Sequence, residues 1–446
     1  MVKLRNLKGT KDYEVTEKLI QNTLIDIIKE EYEKFGFNPL ETPILEYFDI
    51  LSSKYAGGAE ILEETYTLRD NGDRELALRY DLTVPFCRYV GMKGARALKL
   101  PFKRYEIGKV FRDGPVKLGR LREFYQCDAD VVGSGKLLFD AECLAIMCKI
   151  FERLGKPFKI EVNNRKLLIG IINEAGIEDD NLASSIILSI DKLKKIGPDG
   201  VKDELIEKGV PASVFNPIFD YISITGDNGQ LFDYYGENLN HKTGLKGLEE
   251  LKTVFKYAEA MNIDQYLVFR PELARGLEIY TGTIFEAFFK ESHISSSIGA
   301  GGRYDKIIGK FLGKNRKIPA VGFTIGIDVI LSDILNAPNT YELFKMRKTA
   351  VDAMIIPIKI PYERILPIVT QMRNQGIKCE IYTRKKKGVQ GGLGLADYYG
   401  IPVTVLIGSR ELEANKLTIK DMIKEEQIQV SIEDAPSKIK EIIAKN

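Results

Sequence analysis

The stretch from Phe102 to Val132 reads FKRYEIGKVFRDGPVKLGRLREFYQCDADVV, and its reading decides the fold. Two strand-like runs flank a turn bearing glycine and proline, Asp113 to Gly119, which predicts a long β-hairpin. Side chains on a strand alternate between its two faces. In the second strand Tyr125, Cys127, Ala129 and Val131 therefore share one face, while Gln126, Asp128 and Asp130 share the other. That polar face offers acceptors without compensating bases. Arg112 stands where the first strand meets the turn, and Lys117, Arg120 and Arg122 follow it.

Upstream of the hairpin, Leu19, Ile20, Leu24, Ile27, Ile28 and Tyr32 recur at three- and four-residue steps, so Thr16 is placed to cap a helix through Phe35 that Gly36 stops. Phe37 to Glu46 contains Pro39 and Pro43 and suits an edge or interface strand. Downstream, residues 163–262 are charged and helical in character, with breaks at Gly197-Pro198 and Pro217, and read as an inserted helical module. Strands are expected again at Tyr266 to Phe269, Thr283 to Phe289, Ile294 to Ile298 and Val321 to Gly326, the last leading into a helix from Ile327 to Leu335. Asn336 to Asn339 reads as a linker. Beyond it, strands at Val351 to Pro357, Lys378 to Tyr382 and Val403 to Ile407 alternate with helices at Tyr362 to Asn374 and Leu393 to Tyr399, which implies a mostly parallel sheet. Strands around Leu417 and Gln427 and a helix from Pro436 close an independent domain. The expected division is 1–162, 163–262, 263–338 and 346–446.

A chain of 446 residues is too long for one ordinary domain. Its 65 basic and 63 acidic residues leave a formal charge of +2, so any nucleic-acid contact must come from local patches such as Arg384 to Lys387. No apolar run approaches the ~20 residues of a membrane helix. Met1 to Asp12 lacks the pattern of a secretory signal, so a cytoplasmic location is expected. Cys87, Cys127, Cys143, Cys148 and Cys379 form no C-x-x-C pair and read as reduced, mostly buried thiols. With only His241 and His293, both in polar stretches, histidine-rich metal sites and most Ser/His/Asp triads lack material.

Neither a G-x-x-x-x-G-K-[ST] loop nor a G-x-G-x-x-G turn is present, so a nucleotide would need another device. Arginine is the natural substitute, because its planar fork meets phosphate oxygens two at a time and stays charged. Besides Arg112, Arg275 opens the run Arg275-Gly276-Leu277-Glu278-Ile279-Tyr280-Thr281-Gly282.

At these residues a family resemblance becomes specific. Phe111 to Asp130 resembles motif 2 of class II aminoacyl-tRNA synthetases in its histidine-specific form, and Pro39 to Glu46 resembles motif 1. Leu78-Arg79-Tyr80-Asp81-Leu82-Thr83-Val84-Pro85 is similar to the amino-acid-binding strand of the histidyl enzymes, while the Arg275 run and Gly301-Gly302-Arg303-Tyr304-Asp305 resemble the two histidine signatures. Val162 to Leu168 and Ser189 to Leu193 look like the inserted helical domain, and the final hundred residues like an anticodon-binding domain. The fold implied is α+β: a class II antiparallel-sheet catalytic domain with a helical insertion, plus a C-terminal α/β anticodon-binding domain.

The resemblance implies ATP-dependent activation of L-histidine and its transfer to tRNA-His. Arg112 and Arg275 would be catalytic, gripping the α-phosphate and the substrate carboxylate, with Arg120 also on ATP. Asp81, Thr83 and Gln126 would hold the α-amino group, Asp130 and Tyr280 would reach the imidazole nitrogens, and Leu82 and Ile279 would also belong to the histidine-binding set. Lys117, Arg120 and Arg122 would meet ATP or the tRNA acceptor end. Mg2+ is expected with ATP, without fixed metal ligands, and a homodimer is implied. Three positions depart from the pattern. Val329 stands where motif 3 normally has an arginine for the γ-phosphate, leaving Arg303 or magnesium to cover the triphosphate tail. Asp113 stands where the family often has other residues before a glutamate that reads adenine, and Ile279 replaces a tyrosine. The alternatives are a catalytically weak, histidine-binding regulatory paralogue and an accessory subunit without activation chemistry.

Overall fold

The computed structural model describes residues 2–54, 62–275, 279–312, 317–341, 343–344, 346–384 and 388–445. The chain divides into two units, residues 1–12 with 23–343, and residues 13–22 with 344–446. Helix α1 (Val15–Lys34) buries Leu24, Ile27, Ile28 and Tyr32 and gives way at Gly36, whose φ of +78° suits a residue without Cβ. Thr16 does not cap it. The helix already includes Val15, and the Thr16 hydroxyl donates to the Arg347 carbonyl at 2.9 Å within the second unit.

The extended segment after α1 is shared between two sheets. Strand β1 (Asn38–Pro39) pairs in parallel with β5 (Phe102–Phe111) at one edge of the main sheet, while β2 (Leu45–Tyr47) joins β4 (Glu75–Leu78) and β3 (Thr67–Arg69) in a small antiparallel sheet. Helices α2 (Phe48–Lys54) and α3 (Thr83–Ala97) precede the predicted hairpin, which forms as β5 and β6 (Glu123–Val132). Its register sets Arg104 opposite Asp130, Glu106 opposite Asp128 and Gly108 opposite Gln126. The eight-stranded sheet runs β1-β5-β6-β11-β10-β9-β7-β8, with every pairing between β5 and β7 antiparallel. Its remaining strands are β7 (Phe158–Asn164), β8 (Leu267–Phe269), β9 (Thr283–Phe289), β10 (Gly299–Arg303) and β11 (Ala320–Gly326). Helix α4 (Leu138–Leu154) lies between β6 and β7 in the chain and is buried along most of its length.

The inserted helices are α5 (Arg165–Glu174), α6 (Asp180–Ile190), α7 (Leu193–Glu207), α8 (Phe215–Ile222), α9 (Asn228–Asn238) and α10 (Lys242–Ala260). Asn163 and Asn164 still belong to β7, and the Asn164 side chain caps α5 by accepting from the Lys166 amide. Helices α5 and α10 approach so closely that a Cβ on Gly170 would lie 2.2 Å from Gly244 Cα. Small residues in that seam are thus a packing requirement.

Ile294 to Ile298, expected as a strand, is irregular; the strand is the glycine-rich β10 that follows. Glycine is a poor strand former in isolation. Here the sheet leaves no room for more, since a Cβ on Gly301 would come within 2.4 Å of the Gly322 carbonyl oxygen. Helices α11 (Ile307–Phe311) and α12 (Ile327–Asn336) complete the unit.

In the second unit, β12 (Ala353–Ile358), α13 (Tyr362–Asn374), β13 (Cys379–Ile381), α14 (Gly388–Tyr399) and β14 (Val403–Gly408) give the predicted alternation. The short helix α15 (Ser409–Glu413) was not anticipated. Strands β15 (Lys416–Asp421) and β16 (Gln427–Ser431) and helix α16 (Ala435–Lys445) follow. The sheet order is β13-β12-β14-β15-β16, parallel over the first three strands and antiparallel over the last pairs. Ile355, Val369, Val403, Val405, Leu417 and Ile439 form its dry centre. Of the basic run at 384–387, Arg384 is exposed and the other three lie outside the described residues. The cysteines are free thiols, four buried and Cys379 half-buried. Histidine serves locally: His241 caps α10, and His293 sits exposed in a loop.

Candidate active site

A cavity of about 540 Å3 is lined by the polar face of β6 and by segments distant in the chain. Gln126, Asp128 and Asp130 contribute from β6, and Tyr80, Asp81 and Thr83 from the turn into α3. Arg112 and Arg120 come from the hairpin, Arg275, Ile279 and Tyr280 from the run before β9, Glu286 from β9, and Val329 from α12. Strand alternation explains the β6 set, and the antiparallel neighbour β11 adds Thr324 opposite Asp128.

The face is not without bases, contrary to the sequence reading. Arg104, from the opposite strand, is entirely buried and brings Nη2 to 2.8 Å from Asp130 Oδ2. That same nitrogen donates to the Leu82 carbonyl at 3.1 Å. Asp130 also accepts a short hydrogen bond from the Tyr304 hydroxyl. Burial raises the Asp130 carboxyl above its usual range, with Arg104 and the Tyr304 hydrogen bond opposing the rise. Next to it, burial pushes Asp128 up to about 7, again opposed by Arg104 and reinforced by Asp130. Glu106 is held by a second buried guanidinium, Arg79, at 2.8 Å, and accepts from the Thr42 hydroxyl at 2.9 Å. Gly108 makes this possible, because a Cβ there would meet Arg79 Nη2 at 2.3 Å.

Arg112 behaves differently. Its guanidinium lies 4.2 Å from the centre of the Tyr80 ring and 5.0 Å from that of Phe124, and its Nε donates to the Tyr80 carbonyl at 3.1 Å. Among the described residues no carboxylate lies within ion-pairing distance of it, so it faces the cavity as a positioned cation. Arg275 pairs closely with Glu286 and lies 5.9 Å from the Tyr280 ring centre. Burial works against its charge, yet Glu286 and Tyr280 outweigh that and hold its pKa above the ordinary value. Gly276, Leu277 and Glu278 lie outside the described residues.

Other predicted residues take less direct places. Thr83 is the first residue of α3, and Asp81 accepts from the Val84 amide at 2.8 Å, so one carboxylate oxygen helps start that helix. Leu82 is fully buried and does not line the cavity; its carbonyl holds Arg104 instead. Arg120 lines the cavity with Glu64 3.4 Å away. Arg122 turns aside to Asp113 at 2.9 Å, and neither it nor Lys117 lines the cavity. Arg303, offered as a substitute for the motif 3 arginine, is buried against Asp140 and Asp305 and does not reach the cavity. Val329 does reach it, beside Gly119 of the hairpin turn.

Sequence reasoning missed Arg104, Arg79, Tyr304 and Glu286 as parts of this constellation. The hairpin register was the available signal for Arg104, since residues facing across an antiparallel pair share a side of the sheet.

The antiparallel catalytic sheet with its helical insertion, followed by a separate α/β unit, defines a class II aminoacyl-tRNA synthetase. Residues 9–330 match the Histidyl-tRNA synthetase family, and residues 352–442 match the Anticodon binding domain family. The chain belongs to the histidyl-tRNA synthetase family. It is 41% identical over 440 residues to "Histidine–tRNA ligase 1" of Bacillus cereus, covering 97% of this chain and 98% of that protein. Against "Histidine–tRNA ligase, cytoplasmic" of Dictyostelium discoideum it is 36% identical, over 99% of this chain and 92% of the other. Among solved structures, a histidyl-tRNA synthetase from a Nostoc species is similar with a TM-score of 0.85 and 30% identity, covering 99% of this chain and 100% of that one.

Proposed function

We propose that this chain activates L-histidine with ATP, giving histidyl-adenylate and pyrophosphate, and then transfers histidine to the 3′ end of tRNA-His. The observation that carries the reading is that Arg112, Arg275, Asp130 and Tyr280, spread over more than half of the catalytic unit, all line one cavity. In-line attack of a carboxylate on the α-phosphorus needs positioning and charge stabilisation rather than a strong base. Arg112 suits that task, being cationic and free of a carboxylate among the described residues. Arg275 joins it on the α-phosphate and the substrate carboxylate, and Arg120 lies toward the phosphates.

Asp81, Thr83 and Gln126 hold the α-amino group. Asp130 accepts from one imidazole nitrogen and the Tyr280 hydroxyl meets the other, with Ile279 packing against the ring. A competing amino acid leaves those buried polar groups unpaired at a cost of about 1–3 kcal/mol each, so the pocket discriminates without editing. Magnesium would come with ATP and would neutralise phosphate charge there without a fixed set of protein ligands; Asp328 on the cavity wall is a carboxylate of the kind such a hard cation accepts, while Glu286 is engaged with Arg275. The C-terminal unit reads the tRNA, the protein works in the cytoplasm, and two copies associate as a homodimer. No helix among the described residues is long and apolar enough to cross a membrane.

The test is ATP–pyrophosphate exchange with each amino acid in turn. Strict dependence on histidine supports the enzyme reading; histidine binding without exchange would replace it with the regulatory one, toward which Val329 in place of the motif 3 arginine points. Arg275→Ala is expected to lower exchange by about 10²- to 10³-fold with an unchanged circular dichroism spectrum. Near-normal exchange would remove Arg275 from the active centre.

A further inference from the structure

On the polar side of the cavity, among the described residues, carboxyl groups outnumber the bases packed against them. Asp81, Asp128 and Asp130 line the cavity and Glu106 lies behind them, while Arg79 and Arg104 are the buried bases paired with Glu106 and Asp130 on this face. Asp130 has Arg104 and Glu106 has Arg79. Asp128 is 3% exposed, and its Oδ1 is buried with no hydrogen-bond partner. Two residues along the same strand, Gln126 directs its Nε2 to the Thr324 hydroxyl at 3.1 Å, which leaves its buried Oε1 unpartnered as well. Both residues line the cavity. Orphaned buried acceptors are costly unless a donor arrives to meet them.

We propose that Asp128, with Gln126 Oε1, receives the α-ammonium group of the amino-acid substrate and is the anion that neutralises it. The proposal rests on the functional reading above and adds a residue to it. An ammonium group brings three donors and one positive charge, which matches two orphaned oxygens, a third acceptor from the Asp81 and Thr83 turn, and the uncompensated carboxylate. Burial raises the Asp128 carboxyl to about 7, with Arg104 and the Thr324 hydroxyl opposing the rise and Asp130 and Asp81 adding to it, so the group stays protonated up to neutral pH. Glu106, its cross-strand partner, is already engaged with Arg79, and the Tyr304 hydroxyl is engaged with Asp130. When the ammonium group enters, the carboxyl ionises and its proton passes to the buffer. Substrate binding and proton release are therefore coupled.

Calorimetric titration with histidine near neutral pH, in buffers of differing ionisation enthalpy, reads this directly. On the order of half a proton is expected to leave per histidine bound. After subtraction of each ligand's own imidazole ionisation, histidinol, which keeps the amine, is expected to release the same fraction, whereas imidazolepropionate, which lacks it, leaves the Asp128 proton in place. Asp128→Asn is expected to abolish the release and to weaken histidine binding by about tenfold or more, with ATP affinity unchanged. Equal release with imidazolepropionate, no release with histidinol, or undiminished release by Asp128→Asn overturns the proposal; the first two are read on the unaltered protein. Binding of histidine without any coupled proton sinks only this inference, while no heat with histidine at all sinks the functional reading itself.

Discussion

Arg104 and Asp130 face each other across β5 and β6 with 2.8 Å between Nη2 and Oδ2, and both side chains are shut off from water. A buried pair of this kind contributes little net stability while intact, yet removing one partner strands the other charge. Arg104→Met should therefore cost about 3–5 kcal/mol. Arg112→Ala removes a guanidinium that rests on two aromatic faces at the cavity wall, so its stability cost should stay near ~1 kcal/mol while exchange falls by about 10²-fold or more. Urea unfolding together with pyrophosphate exchange separates these roles. Matching stability losses in the two variants would contradict the assignment.

Asp130 serves both the buried network and the wall of the pocket. Asp130→Asn keeps its shape and loses its charge, and it should raise the KM for histidine by about tenfold, the equivalent of one buried polar contact. The KM for ATP should change by no more than about twofold. Parallel increases in both constants would show that the residue does not select the amino acid.

Val329 occupies cavity wall beside the hairpin turn, and Arg303 is tied to Asp140 elsewhere. Val329→Arg offers the triphosphate tail a cation in the position where the family usually supplies one. A fall of about threefold or more in the KM for ATP, with the KM for histidine unmoved, is the expected result. No change would place the γ-phosphate away from this wall.

The Asp128 carboxyl makes stability depend on pH in an unusual direction. Its folded-state pKa, pushed to about 7, lies above the unfolded value near 4, so between those limits the folded protein binds more protons than the unfolded chain. Stability from this group falls as pH rises through that window and is level above it. Asp128→Asn should match the wild type at about pH 4 and become progressively more stable than it up to about pH 7. Urea midpoints at both ends measure the difference; a constant offset across the range would mean that Asp128 is ionised in the folded protein.

Much of the fold was legible because its signals are local. Period-two alternation across Glu123 to Val132 assigned Gln126, Asp128 and Asp130 to one face, and the hairpin and the alternating C-terminal strands and helices formed where pattern and turn chemistry indicated, while the inserted helices begin only at Arg165. Motif order along the chain likewise carried the family. Glycine-rich segments were less readable, since Gly299 to Arg303 forms a strand through tight sheet packing that no intrinsic propensity announces.

What the sequence by itself determined is which residues lie on each strand face and which family the chain belongs to, because side-chain alternation and motif spacing are properties of the covalent chain. Only the tertiary structure decided which charges meet: Arg104 with Asp130, Arg79 with Glu106, Arg275 with Glu286, and Arg303 with Asp140, away from the cavity. Electrostatic interaction depends on distance and burial, and both are fixed by how strands far apart in sequence are set side by side.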